Sequence, residues 1–308
     1  FTIGIGVLPV LMQNPYYLSI LVFIGIYSIT TMGLNLLMGY AGQISLGHAA
    51  FYAIGAYTSG LLTLKYNVHF APALLAALCG TAGIAYVIGV PCLRLKGHYL
   101  AMATLAVGEI IYIVLNAAVE VTGGPSGIAG IPQIQAGAFA LDSDLKYYYV
   151  VWGIFILLFL LSRNIIQSRV GRALRSLHGS EIAAGSLGVN VANLKVQVFV
   201  LSAVYAALAG ALYAHAITFI SPQTSDLMFS IRLITMVVVG GMGHLWGGVV
   251  GAAIMTVLPE LLSAFHDYEL VSYGGILLLM VMFLPGGLVR GIETLSHKCM
   301  QLRAGKRS

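Results

Sequence analysis

Charge is what this sequence has least of: Asp, Glu, Lys and Arg make up 8% of its 308 residues, against roughly 25% in an average soluble domain. So few ionic groups cannot cover a water-facing surface. The 59% hydrophobic content and mean hydropathy of +0.94 point instead to lipid as the solvent. Cysteine is scarce as well. Cys79 and Cys92 share one apolar stretch and Cys299 lies in the tail, which excludes a disulfide framework or metal-ligand spacing and leaves all three as structural. Long polar stretches are missing too, so a length that ordinarily allows two globular domains reads as a single membrane domain over residues 1–308.

Several chemical signatures are also absent. There is no Gly-x-x-x-x-Gly-Lys-Ser/Thr phosphate loop, so any nucleotide has to be bound elsewhere. His-Glu-x-x-His, Gly-x-Ser-x-Gly and paired carboxylates within apolar runs are lacking, which argues against an intramembrane enzyme. The chain opens at Phe1 in an apolar run without the charged start or cleavage site of a signal peptide; the expectation is that it begins inside a longer protein. The net charge of +5 is dispersed between apolar segments rather than gathered into a basic face, which excludes nucleic acid as a partner.

What is present is a succession of apolar segments. A spanning helix needs about 20 such residues, and about ten candidates fall at 1–12, 17–38, 44–63, 70–91, 98–118, 147–162, 194–217, 227–242, 247–264 and 270–288. The expected fold is an all-α, polytopic transmembrane helical bundle. The segment at 227–242 is short and runs into Gly240, Gly241, Gly243, Gly247 and Gly248, as a broken or re-entrant helix would. With the tail at 290–308 in the cytoplasm and the segments alternating, only Lys65, Lys146 and Arg232 of the 15 Lys and Arg fall away from the cytoplasmic side. Both termini are then cytoplasmic by the positive-inside rule. Gly39, Gly42 and Gly47 share their spacing with Gly240, Gly243 and Gly248, either as a parallel repeat or by chance among 37 glycines.

The loop at 169–190 is too polar to span and too patterned for a linker. Leu174 and Leu177 share a face with Arg172 and Arg175 beside them. A second short helix starts at Ser180, a hydroxyl cap followed by Glu181 at the positive dipole end, and stops near Gly188. The pattern fits an amphipathic loop held by lipid headgroups and equally a docking element that presses apolar side chains into a partner.

Glu181, Ala183, Ala184 and Gly188 resemble the coupling motif of ABC-importer permeases, with Ile182 inserted between the acid and the first alanine. Further stretches are similar to the LivM-type permeases of branched-chain amino acid importers: residues 39–57 (GYAGQISLGHAAFYAIGAY), 93–109 (LRLKGHYLAMATLAVGE), 122–127 (TGGPSG) and 240–243 (GGMG) through Pro259 and Glu260. Together they cover about residues 30–290. The resemblance implies a bacterial inner-membrane permease whose substrate crosses between this chain and a second, related permease after delivery by a periplasmic or extracellular binding protein. Two partner subunits then bind and hydrolyse ATP with Mg, this chain carries no cofactor or metal, and Arg172, Arg175 and the motif residues serve ATPase coupling.

Candidate pathway residues follow from the cost of polar groups at membrane depth, about 2.5–3.5 kcal/mol for a central charge on insertion scales. Glu109 stands midway along an apolar segment, as a group for a substrate ammonium or a gate, or as a structural partner of a helix end or of Arg232. Gln43, Ser45 and His48 enter the third segment with Tyr52 one turn on; they line the pathway or satisfy a helix start. Asn116 and the glycine-rich external loop at Thr122, Gly123 and Gly124 lie towards the opposite face, to meet the binding protein or simply to turn the chain. His98 and His215 read as interfacial hydrogen-bonders, with no second metal ligand at suitable spacing. A permease for urea or a short amide would share these motifs, and a secondary transporter or channel would use Glu109 for coupling or selectivity and the 169–190 loop as a linker.

Overall fold

A computed structural model of the chain describes residues 15–136, 139–140 and 143–262, with a few isolated positions between 274 and 291. The apolar runs in that range fold as helices, because a chain in lipid has to satisfy its own backbone N–H and C=O groups. They are α1 (Pro15–Asn35, continued by a π-turn over Leu36–Tyr40), α2 (His48–Lys65), α3 (Phe70–Cys92), α4 (His98–Ala117), the single turn α5 (Val119–Thr122), α6 (Asp144–Gln167), α7 (Arg169–Gly179), α8 (Glu181–Ser186), α9 (Val191–Ile217), α10 (Leu227–Gly240) and α11 (Leu245–Leu262). The architecture is all-α and polytopic. Its extended pieces are two-residue pairings: β1 (Ile128–Ala129) runs antiparallel to β4 (Phe219–Ile220), with Ile128 opposite Ile220, and β2 (Gln135–Ala136) runs antiparallel to β3 (Phe139–Ala140). The expected segments at 1–12 and 270–288 and the tail at 290–308 lie outside the described stretches.

Among the described residues six helices are each long and apolar enough to cross a membrane: α1 with its π-turn, α3, α4, α6, α9 and α11. The two others in that series deviate for visible reasons. α2 is the more polar, yet protein surrounds it, and His48, Tyr52 and Ser59 are fully buried. α10 has 14 residues, about 21 Å of helix, which is shorter than a roughly 30 Å hydrocarbon core.

α9 is the axis of the bundle, with α1, α2 and α3 packed around it. Lipid is as apolar as leucine, so membrane helices associate by close packing of small residues rather than by transfer out of water. Accordingly Ala203, Ala206, Ala207, Ala209, Ala211 and Ala214 are all at 0% exposure. A Cβ on Gly55 would overlap the Ala207 carbonyl oxygen, and one on Gly210 that of Tyr52. α3, α4 and α6 instead turn wide apolar faces outward, with Leu75 and Val87, Met102 and Ile110, and Leu157 and Leu160 exposed.

Contacts sort the connections to two ends. Lys96 and Lys195 both reach Glu181, and His178 lies against Gly42, which gathers the turns at 41–47 and 93–97 and the loop at 168–190 at one end. At the other, Lys65 donates to the carbonyls of Glu120 and Val121, and β1 meets β4. Of the broken and re-entrant alternatives, the glycine-rich stretch after α10 takes the form of a tight hairpin that turns the chain back. Gly241 (φ +122°) and Gly243 (φ +77°) turn the chain, and α11 returns along α10 so closely that a Cβ on Gly240 would overlap the Gly247 carbonyl oxygen.

Candidate functional site

The two glycine stretches touch at Gly39 and Gly243. At the end of α1 the helix widens into its π-turn, the Ala41 N–H donating to the Leu36 carbonyl at 3.3 Å, and Gly42 (φ +68°) then reverses the chain. Gly39 rests on the backbone of Gly243, leaving no space for a side chain. Asn35, at 1% exposure, spans the contact with both ends of its amide. Its Nδ2 donates to the His244 carbonyl at 2.6 Å and its Oδ1 accepts from the Gly243 N–H at 2.9 Å. The Thr31 hydroxyl adds a bond to the Gly248 carbonyl at 3.1 Å.

The start of α2 is supported from three other helices. The Leu46 N–H donates to Thr104 Oγ1 on α4 at 3.0 Å, and the Ala49 N–H to Ser230 Oγ on α10 at 3.2 Å, which satisfies amides that a helix start leaves open. The His48 ring lies between Ser45 Oγ at 3.1 Å and Ser202 Oγ on α9 at 2.6 Å. Of the candidate pathway residues, Gln43, Ser45, His48 and Tyr52 therefore sit inside the subunit, none more than 3% exposed. Among the described residues the Gln43 amide and the Tyr52 hydroxyl have no hydrogen-bond partner. The Tyr52 ring packs on Tyr213 and Phe229 at centroid distances of 5.6 and 5.1 Å.

Glu109 and Asn116 are not part of that cluster. Glu109 is exposed, midway along α4 on the outward face that also carries Met102, Ile110 and Ile113, and it forms no ion pair or hydrogen bond among the described residues. Arg232, the candidate partner, is engaged elsewhere: it donates to the Met255 carbonyl at 3.2 Å and lies over the Tyr27 ring at 5.9 Å. Asn116 bonds within its own helix, to the Tyr112 carbonyl at 2.9 Å. At the opposite end Thr122 closes the glycine turn through the Leu115 and Ala118 carbonyls at 2.6 and 2.8 Å, while Gly123 and Gly124 take positive φ of +73° and +58°. His215 is held between the Pro132 carbonyl at 2.7 Å and Ser59 Oγ at 2.9 Å.

The polar loop is the helix pair α7 and α8, turned otherwise than its pattern suggests. Leu174 and Leu177, at 1% and 3% exposure, are buried in the chain's own core and so are not available to a partner. Arg175 folds back, Nη2 donating to the Ile166 carbonyl at 2.8 Å at the negative end of α6. Arg172 stays exposed. Ser168 and Ser180 cap α7 and α8 through the amides of Val170 and Ala183. In α8, Ala184 faces inward at 0% exposure and Ala183 outward. Glu181 is taken up by Lys195 and Lys96, and Gly188 (φ +81°) ends the unit in open space. Among the described residues the most exposed large apolar side chains are Ile182 and Leu187, at 78% and 79%. Exposed apolar residues at a water-facing end are the signature sequence periodicity did not single out; in so short a helix there is too little pattern to assign a face.

A carboxylate at mid-depth on an outer face is costly against lipid tails, whereas beside a further protein or a water-filled passage it is not. The fold is that of a polytopic membrane protein, and its outward charge fits a face covered by protein or water rather than by lipid tails. The chain belongs to the family described as branched-chain amino acid transport system / permease component, which matches residues 16–285. The high-affinity branched-chain amino acid transport system permease protein LivM of Escherichia coli is 35% identical over 287 residues, 86% of this chain and 68% of that protein. LivH of Salmonella typhimurium is 26% identical over 283 residues, 85% of this chain and 91% of that protein, and BraD of Pseudomonas aeruginosa is 26% identical over the same length. No solved structure matches.

Proposed function

We propose that this chain is one of two related permease subunits in an ATP-driven importer of leucine, isoleucine and valine in a bacterial cytoplasmic membrane. The observation that carries this reading is the similarity to LivM across 86% of the chain. ATP, with Mg, is bound and hydrolysed by two partner subunits, and a binding protein outside the membrane delivers the amino acid. The end that holds Arg94, Lys96, Arg172, Arg175 and Lys195 is cytoplasmic, because positive residues are retained on that side. The ATPase subunits dock there on Ile182, Leu187 and Arg172. The outer end, with the turns at 118–136 and 218–226, receives the binding protein. Cells lacking only this chain lose uptake of labelled leucine and regain it when the chain is restored; if labelled urea responds and leucine does not, the substrate assignment fails.

The outward face of α4 lines the passage against the second permease, and Glu109 on it meets the substrate's ammonium group. Hydrogen bonds to charged groups contribute about 1.5 kcal/mol or more, so Glu109→Gln lowers leucine uptake by roughly tenfold while the complex still assembles. Uptake equal to that of the parent would move the passage to another face.

A further inference from the structure

Glu181 occupies the first turn of α8, yet its carboxylate points into the protein. Oε1 accepts from Lys195 Nζ, and Oε2 lies 3.6 Å from Lys96 Nζ. The Lys195 side chain is 4% exposed, that of Glu181 30% and that of Lys96 68%. One carboxylate therefore joins three elements: α8, the first turns of α9, and the turn between α3 and α4. A buried ammonium is tolerated only when paired, so Lys195 keeps Glu181 in place in every conformation in which it stays buried. Apart from this pair, Ala184 is the side chain of α8 buried against the body of the chain, while Ile182 and Leu187 stand outward.

We infer that Glu181, Lys195 and Lys96 form a latch that transmits movement of α8 to the membrane helices α9 and α4. They are positioning residues of the transport cycle, and Glu181 is not a contact to the ATPase. A pull on Ile182 or Leu187 from below reaches α9 through the buried pair and α4, which carries Glu109, through Lys96. Without the ion pair α8 still docks its partner, but the membrane helices no longer follow it. This inference rests on the reading of the chain as a coupled permease.

The test uses the complete complex in proteoliposomes, with ATP hydrolysis and uptake of labelled leucine measured together. For Lys195→Met and for Glu181→Gln the ATPase subunits stay bound and hydrolysis continues, while leucine taken up per ATP falls about tenfold, a usual size for coupling between distant sites. Lys195→Arg behaves like the parent, and the exchange Glu181→Lys with Lys195→Glu restores much of the ratio, an effect that damage to folding would not produce. The latch is overturned if the parent transports and Lys195→Met leaves uptake per ATP unchanged. It is equally overturned if both single variants lose their ATPase subunits and the exchange does not recover them. A parent complex without ATP-driven uptake overturns the transport reading, and the latch with it.

Discussion

Changing Ile182 and Leu187 together to aspartate is expected to release the ATPase subunits and to abolish ATP-driven leucine uptake. Both side chains are nearly four-fifths exposed at the polar end of the bundle, whereas Leu174 and Leu177 of the same loop are spent on the chain's own core. Burying a leucine or isoleucine stabilises by about 1.5–3 kcal/mol, so two in one groove contribute about 3–6 kcal/mol, more than a hundredfold in affinity. Aspartate removes that contribution and adds unpaired charges to a desolvated contact. Folding should be spared, because neither residue packs within the chain and exposed substitutions usually change stability little. Co-purification of the ATPase subunits with the tagged permease decides the matter: full retention would place the docking surface elsewhere. The contrast with the latch variants, in which the partner stays bound but uptake lags hydrolysis, separates grip from transmission.

The second large effect is expected at Asn35, where leucine should prevent a stably folded subunit. The amide makes two hydrogen bonds to the hairpin between α10 and α11, at 2.6 and 2.9 Å, in a site at 1% exposure. Its loss leaves the His244 carbonyl and the Gly243 N–H without their partner, at about 1–3 kcal/mol for each group. A branched side chain also has nowhere to go, since Gly39 and Gly243 are in backbone contact beside it. The two groups together cost about 2–6 kcal/mol, a large share of the roughly 5–15 kcal/mol by which folded domains are stable. The check is the thermal midpoint of the purified subunit in detergent: a midpoint within a few degrees of the parent would show that the two turns do not depend on this clamp.

Much of the fold is legible in hydropathy alone. The segments expected at 17–38, 70–91, 98–118 and 194–217 correspond to Pro15–Tyr40, Phe70–Cys92, His98–Ala117 and Val191–Ile217, because the demand for backbone satisfaction in lipid makes any long apolar run a helix. Orientation about each axis is not legible. A lipid-facing side and a protein-facing side are equally apolar in a membrane helix, so the pattern did not tell that Gln43, Ser45, His48 and Tyr52 are interior; for Leu174 the amphipathic face was visible, but an apolar face reads the same whether it meets the chain's own core or a partner. Asn35 and Thr31 were not singled out by the sequence, because the partners that give them a role lie more than 200 residues away in the chain. Lys195 counted as a topological charge; its burial beside Glu181 required the two helices to be seen together.

The way α1 leans on α11 while α9 sits among α2 and α3 has a bearing on modularity. Each half of the chain supplies the interior of the other, and the faces through which they interlock are alanine, glycine and buried hydroxyls, which lipid covers poorly. Neither half is therefore a self-sufficient unit that could be exchanged between relatives, in the way whole domains are. The smallest interchangeable part is the entire subunit, and what can vary independently is its outward face and the short helices that hang beneath it.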